Sequence, residues 1–327
     1  MVARTRSGKR KRSVVSNDDG EEYTYDLGYH SWVAAVLPLK ICLACSIAWF
    51  FSSLAIALVL GLFVLPFKRA RAGLFKMWMM IFIPSAWLFH GFRMSVAYDA
   101  SIKGGSKGLP KSAIYIANHS SSLDFLTCSR TMPFGTVAVV KRALLVQPIG
   151  WLAWMSGSVF INRKDTQGAI QAMNRAAKVT HAKRDADASI AGCHVTADGW
   201  KRSDRCFFSG SVGKIVGAGD VRGMCVFPEG TRSRDGRLQI PFKKGAVHMA
   251  MQAKVPIVPV VISGAHKIWG KTTWSIDQNS DTVIKVKFLP PIDTSDWDSS
   301  NVAENNAMLQ HIFLQNLPED QRPLKAA

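Results

Sequence analysis

The chain is 327 residues long and 48% hydrophobic, with a formal net charge of +18 from 41 Lys and Arg against 23 Asp and Glu. That length accommodates one catalytic domain of about 200 to 230 residues plus a terminal membrane segment. The charge calls for an anionic partner, and the gathering of apolar sequence into one membrane-length run favours a membrane or an anionic substrate over nucleic acid.

Residues 1–30 read as a disordered tail. It is basic through Arg4, Arg6, Lys9, Arg10, Lys11 and Arg12, then acidic through Asp18, Asp19, Glu21 and Glu22. Residues 31–95 read as a membrane-anchoring region. The run from Ile41 to Phe67 carries no charge and exceeds the ~20 residues a helix needs to cross a bilayer. It starts too late and runs too long for a cleaved signal peptide. A second apolar stretch, Leu74 to Phe92, is interrupted by Lys76, Pro84 and His90 and has the Trp, Met and Phe content of a helix lying at the interface. Basic residues precede the first run, and Lys68, Arg69 and Arg71 follow it. The positive-inside rule therefore draws both ends to the cytoplasm, which a re-entrant or shallow hairpin would satisfy.

Residues 96–327 alternate strand-like and helix-like patterns, which indicates an α/β layered domain. Strands are expected at 113–117, 136–140, 158–162, 224–227, 257–262 and 283–288. Helices are expected near 167–183 and 244–253, and after Asn301, where Leu309, Ile312, Phe313 and Leu317 recur at helical spacing. Pro256 and Pro259 restrict the strand in 255–262 to an edge or irregular position. The polar stretch 182–222 reads as a surface insertion. Of the six cysteines, Cys42 and Cys45 fall inside the membrane run, and Cys128 and Cys225 look like core residues. Cys193, His194 and Cys206 fall short of a zinc set, and no metal site is expected.

Chemistry gathers just after two of the strands. Asn118-His119-Ser120-Ser121-Ser122-Leu123-Asp124 follows the apolar run 113–117. An imidazole with a carboxylate five residues on supplies a base that can activate a hydroxyl, the carboxylate orienting the ring and stabilising the imidazolium. A loop histidine beside an N-cap aspartate has the same spacing. Phe227-Pro228-Glu229-Gly230-Thr231-Arg232-Ser233 brings a carboxylate, a hydroxyl and a guanidinium together in one turn. Arg offers a planar fork for phosphate oxygens and Gly allows close approach to the backbone; a turn with solvated charges is the plainer alternative. Gly157 to Arg163 reads as a short buried strand ending in another Arg, and Val255 to Ile262 as an apolar strand.

These four segments, in this order, resemble the four motif blocks of the glycerophospholipid acyltransferase family, over roughly Ile114 to Ala265. Lys141, Leu144, Pro148 and Gly150 fit the family between the first two blocks, and Gly236 and Phe242 to Ala246 fit after the third. Ala143 stands where the family often has Glu, and Asn162 where Asp is frequent. The resemblance implies a mixed sheet flanked by helices, of the glycerol-3-phosphate acyltransferase type, with N-terminal membrane helices. It also implies that His119 is the catalytic base and Asp124 its orienting partner. Arg163, Glu229, Gly230, Thr231 and Arg232 would hold the glycerol phosphate, and Pro256, Ile257 and Pro259 would help line the acyl and acceptor pocket.

The ending Thr231-Arg232-Ser233 accompanies lysophosphatidate as acceptor in the family, and a phosphomonoester suits a clamp of Arg163 with Arg232. The implied reaction passes an acyl group from acyl-CoA to the sn-2 hydroxyl of 1-acyl-sn-glycerol 3-phosphate, with no cofactor and no nucleic-acid partner. The alternatives are another lysophospholipid or glycerol-3-phosphate acyltransferase and, from a different class, a catalytically silent membrane adaptor. The expected place is the endoplasmic reticulum membrane with a cytosol-facing site, or else a bacterial inner membrane.

Overall fold

The computed structural model describes residues 15–17, 20–22, 25–26, 39–67, 74, 76–78, 80–82, 93–161, 223–272 and 282–324. Short strands β1 (Val15–Asn17) and β2 (Gly20–Glu22) form an antiparallel pair. An eight-stranded sheet contains β3 (Tyr25–Asp26), β4 (Arg93–Tyr98), β5 (Ile114–Ala117), β6 (Thr136–Lys141), β7 (Val159–Ile161), β8 (Gly223–Val226), β9 (Ile257–Ser263) and β10 (Val283–Phe288), in the spatial order β3-β4-β10-β9-β5-β8-β6-β7. The helices are α1 (Leu39–Val64), α2 (Leu123–Thr131), α3 (Pro148–Met155), α4 (Gly245–Ala253), α5 (Ala265–Ile268) and α6 (Val302–Asn316). The expected α/β layered domain with a mixed sheet is present. The expected helix at 167–183 and the insertion at 182–222 lie outside the described residues.

Strand β5 sits at the centre, parallel to both β8 and β9, and all four of its residues are buried. Alternation then divides its side chains between two cores. Tyr115 and Ala117 join Val258, Val260, Ile262, Ile284, Val286 and Phe288 on the face covered by α1, α2 and α3. Ile114 and Ile116 join Ile257 and Val261 on the face covered by α4 and α6, against Val247, Met249, Leu309 and Phe313. Completely burying a Phe or Leu side chain contributes about 1.5–3 kcal/mol. Lys285 and Lys287 alternate outward on β10, so that part of the sheet is covered on one side, as their charge requires.

The structure corrects the expected position of the Pro-containing strand. Strand β9 is interior, between β10 and β5, not at an edge. The reason lies in where its missing donor points. The Pro259 carbonyl accepts from the Leu289 N–H, and Ile257 exchanges both backbone bonds with Ile292. Pro259 lies just beyond the last paired rung of the β9–β10 ladder, Phe288↔Val260, so its missing N–H forgoes one bond at the margin of the ladder and none inside it. Two further elements differ from expectation. Strand β4 is added beside β10 in parallel register, and β3, inside the stretch expected to be a disordered tail, pairs antiparallel with β4 through Tyr25↔Val96 and Asp26↔Ser95. A strand edge with free backbone groups recruits nearby extended chain in this way.

The 21-residue span Ala44–Val64 in α1 has a mean hydropathy of 2.4, long and apolar enough to cross a membrane, and only 22% of its most apolar window is buried. One side packs on the domain. Phe50 meets Trp78 and Phe82 edge-on at 5.6 and 5.2 Å, Trp78 stacks on Phe82, and the Trp78 indole N–H donates to Ser53 Oγ at 3.2 Å. Gly61 lies so close to Met155 of α3 that a β-carbon would meet its sulfur at 2.8 Å. The other side exposes Ile47, Phe51, Ile56, Val59, Leu62 and Phe63. Helical residues at 74–82 contribute Met77, Met80 and Ile81 to the exposed set.

Candidate active site

The site forms at the C-terminal ends of β5 and β8, where parallel strands open into loops. After Ala117 the chain leaves the ladder, and a side chain takes over the pairing. The Asn118 amide donates to the Ile262 carbonyl and its oxygen accepts from the Ile262 N–H, both at 2.8 Å, so a side chain extends the β5–β9 pairing by one rung. The loop then turns into α2. Asp124, in the first turn of that helix, is completely buried. Its Oδ2 accepts from the backbone N–H groups of Ser120 and Ser121, both at 2.6 Å, and lies 3.2 Å from His119 Nδ1. With Nδ1 turned to the carboxylate, Nε2 is the ring nitrogen left to receive a proton. The expected His119/Asp124 pair is thus brought together.

The turn after β8 grips the histidine through its backbone. Glu229 Oε1 accepts from the His119 N–H at 2.5 Å, and the His119 carbonyl accepts from the Ser233 N–H at 2.9 Å. The imidazole stacks on Phe227 with ring centroids 4.2 Å apart. Glu229 is only 5% exposed, and its Oε2 accepts from the Gln239 N–H at 2.9 Å. Burial pushes its pKa up to about 8, against the two N–H donors that favour the charged form; Asp124 adds to the rise. Both oxygens of Glu229, expected among the substrate-binding residues, therefore face backbone groups of this chain. Gly230 closes the turn at φ +75°, donating to the Phe227 carbonyl at 3.0 Å, a conformation that suits glycine.

Thr231 is exposed and Arg232 half-buried. The Arg232 guanidinium donates through Nη1 to Ser122 Oγ, placing it three residues from His119 along the loop. Gln239 Nε2 and Lys271 Nζ both donate to the Arg232 carbonyl, at 3.2 and 2.7 Å. Ser121 Oγ donates to the Trp269 carbonyl at 2.6 Å, which ties the chain after α5 to the same loop. Arg163 lies outside the described residues.

The structure does not bring Pro256 and Ile257 to the histidine. Ile257 is level with Ile114, at the start of β5, whereas Asn118 reaches Ile262. The four residues from Ile114 to Asn118 span roughly 13 Å at about 3.3 Å each. Pro259 is level with Ile116 and is buried inside the sheet. Asn118, Ser121, Gln239 and Lys271 are the positioning and rim residues that sequence reasoning did not single out. Asn118 and Ser121 lie inside the first motif block, but Gln239 and Lys271 carry no local signal.

A family model described as Acyltransferase matches residues 103–263. The 1-acyl-sn-glycerol-3-phosphate acyltransferase of Limnanthes douglasii is 34% identical over 67% of this chain and 64% of its own length. That of Saccharomyces cerevisiae is 28% identical over 71% of this chain and 64% of its own length. The chain thus spans somewhat less than two thirds of these curated relatives. The crystal structure of the 1-acyl-sn-glycerophosphate acyltransferase PlsC from Thermotoga maritima shares the fold, with a TM-score of 0.54 and 21% identity over 84% of this chain and 95% of that one. The chain belongs to the acyltransferase family.

Proposed function

We propose that the protein transfers an acyl group from acyl-CoA to the sn-2 hydroxyl of 1-acyl-sn-glycerol 3-phosphate, forming phosphatidate and releasing CoA. The observation that carries this reading is the His119–Asp124 pair beside an arginine on one rim: a base with its orienting carboxylate, 3.2 Å apart, and the Arg232 guanidinium on the same loop. The curated relatives named as acting on 1-acyl-sn-glycerol 3-phosphate support the choice of acceptor.

In this mechanism His119 Nε2 takes the proton of the sn-2 hydroxyl as its oxygen attacks the thioester carbonyl. The tetrahedral intermediate collapses, the C–S bond breaks, and CoA leaves as a thiolate that needs no strong acid. The proton passes from the imidazolium to the thiolate or to water. Asp124 holds the tautomer, and Glu229 holds the His119 backbone through a single N–H. Arg232 takes the acceptor phosphate, with Arg163 as a second expected cation. Helix α1 lies in the bilayer with its exposed apolar side toward lipid, in the endoplasmic reticulum membrane with the cleft facing cytosolic acyl-CoA.

The test is transfer from labelled acyl-CoA in membranes holding wild type or His119→Ala, with lysophosphatidate and lysophosphatidylcholine as separate acceptors. Wild type acylates lysophosphatidate preferentially and His119→Ala loses the activity. Equal rates for the two proteins would refute the base, and no preference for lysophosphatidate would refute the acceptor.

A further inference from the structure

We propose that Lys271, outside every motif block, is a second phosphomonoester-binding residue of this cleft, acting beside Arg232. The proposal rests on the acyl-transfer reading and adds to it a residue that no part of the sequence pattern marks. Lys271 follows α5 and reaches back to the turn after β8. Its ammonium donates to the Arg232 carbonyl at 2.7 Å and stands 3.4 Å from Thr231 Oγ1. Two residues earlier, the Trp269 carbonyl is held by Ser121 Oγ at 2.6 Å. The backbone carrying Lys271 is therefore anchored to the histidine loop, and its side chain to the arginine.

A lysine ammonium has three donors and a guanidinium five. Two of the first group face Arg232 O and Thr231 Oγ1, and one of the second faces Ser122 Oγ, so both cations keep hydrogens to give. Among the described residues neither is ion-paired with a carboxylate; the ion pairs there join His119 to Asp124 and Lys267 to Asp320. Two unneutralised cations flank one exposed hydroxyl, on a rim tied at three points to the loop of the proposed base. A dianion placed there gains charge-assisted bonds from both and from the Thr231 hydroxyl. The Lys271–Arg232 carbonyl bond holds the ammonium in place before the ligand arrives, which lowers the ordering cost of binding. The ligand chemistry is a phosphomonoester, which both lysophosphatidate and the 3′-phosphate of CoA present.

The experiment compares Lys271→Met and Lys271→Arg with wild type in detergent, varying acceptor and donor separately. Lys271→Met is expected to raise the KM for lysophosphatidate roughly tenfold or more with kcat within about threefold, and Lys271→Arg to restore most of it. With 1-acylglycerol, which has no phosphate, wild type and Lys271→Met should be indistinguishable. If the acyl-CoA KM rises instead and the difference vanishes with a 3′-dephospho-CoA thioester, the phosphomonoester belongs to the donor. Equal losses on phosphate-bearing and phosphate-free acceptors, or unchanged KM values, would overturn the proposal and leave Lys271 as a brace for the Arg232 turn. Should wild type leave lysophosphatidate unacylated, the acceptor reading falls. The lysine site is then judged by calorimetric binding of glycerol 3-phosphate, which Lys271→Met must weaken.

Discussion

The cleft around His119 and the helix α1 deal with water in opposite ways. In the cleft, polar groups are withdrawn from solvent and held by specific partners: Asp124 takes three donors on Oδ2 although its Oδ1 has none, Glu229 takes one on each oxygen, and Asn118 replaces a strand rung. On α1, apolar groups face outward and are not covered by the described residues; Phe63 is 72% exposed. A buried polar atom without a partner costs about 1–3 kcal/mol, so cleft geometry is set by bonds. An exposed apolar face is instead stabilised only by a non-aqueous neighbour. The first region depends on individual atoms and the second on total area, so single substitutions should separate them sharply.

The largest effect is expected at the cleft's centre. Asp124→Asn and His119→Ala should each lower turnover on the order of 100- to 10,000-fold, while retention in the membrane fraction is unchanged. Loss of membrane association by either variant would mean that the two regions are coupled. Next, Arg232→Ala should raise the lysophosphatidate KM roughly tenfold or more, with a smaller effect on acyl-CoA, because a charge-assisted contact is removed. A selective rise in the acyl-CoA KM would assign the guanidinium to the donor.

Glu229 gives a prediction in pH. Its folded pKa, about 8, stands above the ordinary 4.5, so between those values the native state keeps a proton that the unfolded chain has lost. Stability then falls as pH rises through that window, by up to about 1.4 kcal/mol per pH unit, and levels off above it. Thermal melts of detergent-solubilised wild type should show this slope relative to Glu229→Gln between pH 5 and 8. Parallel curves would show that Glu229 is ionised in the fold.

The smallest effect on chemistry should come from α1. Phe63→Asp together with Val59→Asp should leave activity on detergent-dispersed substrate within about twofold, since both side chains point away from the domain. The same pair should make the protein extractable by carbonate, where wild type requires detergent. Carbonate extraction of wild type would place α1 against protein instead of lipid.

Much of the fold was legible because its signals are local. The strand 283–288 and the closing helix came from side-chain period alone, and both lie where periodicity put them. Strand β4 was hidden because Arg93 to Tyr98 adjoins the apolar 74–92 stretch and reads as its continuation. The prolines misled for a related reason. A missing N–H weakens a central strand only where it falls inside a ladder, and Pro259 falls just past the last paired rung, Phe288↔Val260. Within the site, His119 and Asp124 are five residues apart on one loop and were readable. Glu229 was recognisable as important, but not the partners its oxygens take.

The sequence by itself determined the α/β alternation, the His119–Asp124 spacing and the membrane-length apolar run, because period, composition and short-range spacing are properties of neighbours along the chain. Only the tertiary structure decided that β9 is interior, that Glu229 holds His119 across 110 positions, that Asn118 completes a rung 144 positions away, and that Ser121 ties Trp269 across 148. The physical reason is that a buried polar atom takes whichever partner the packed sheet brings within about 3 Å, and chain distance places no limit on that choice.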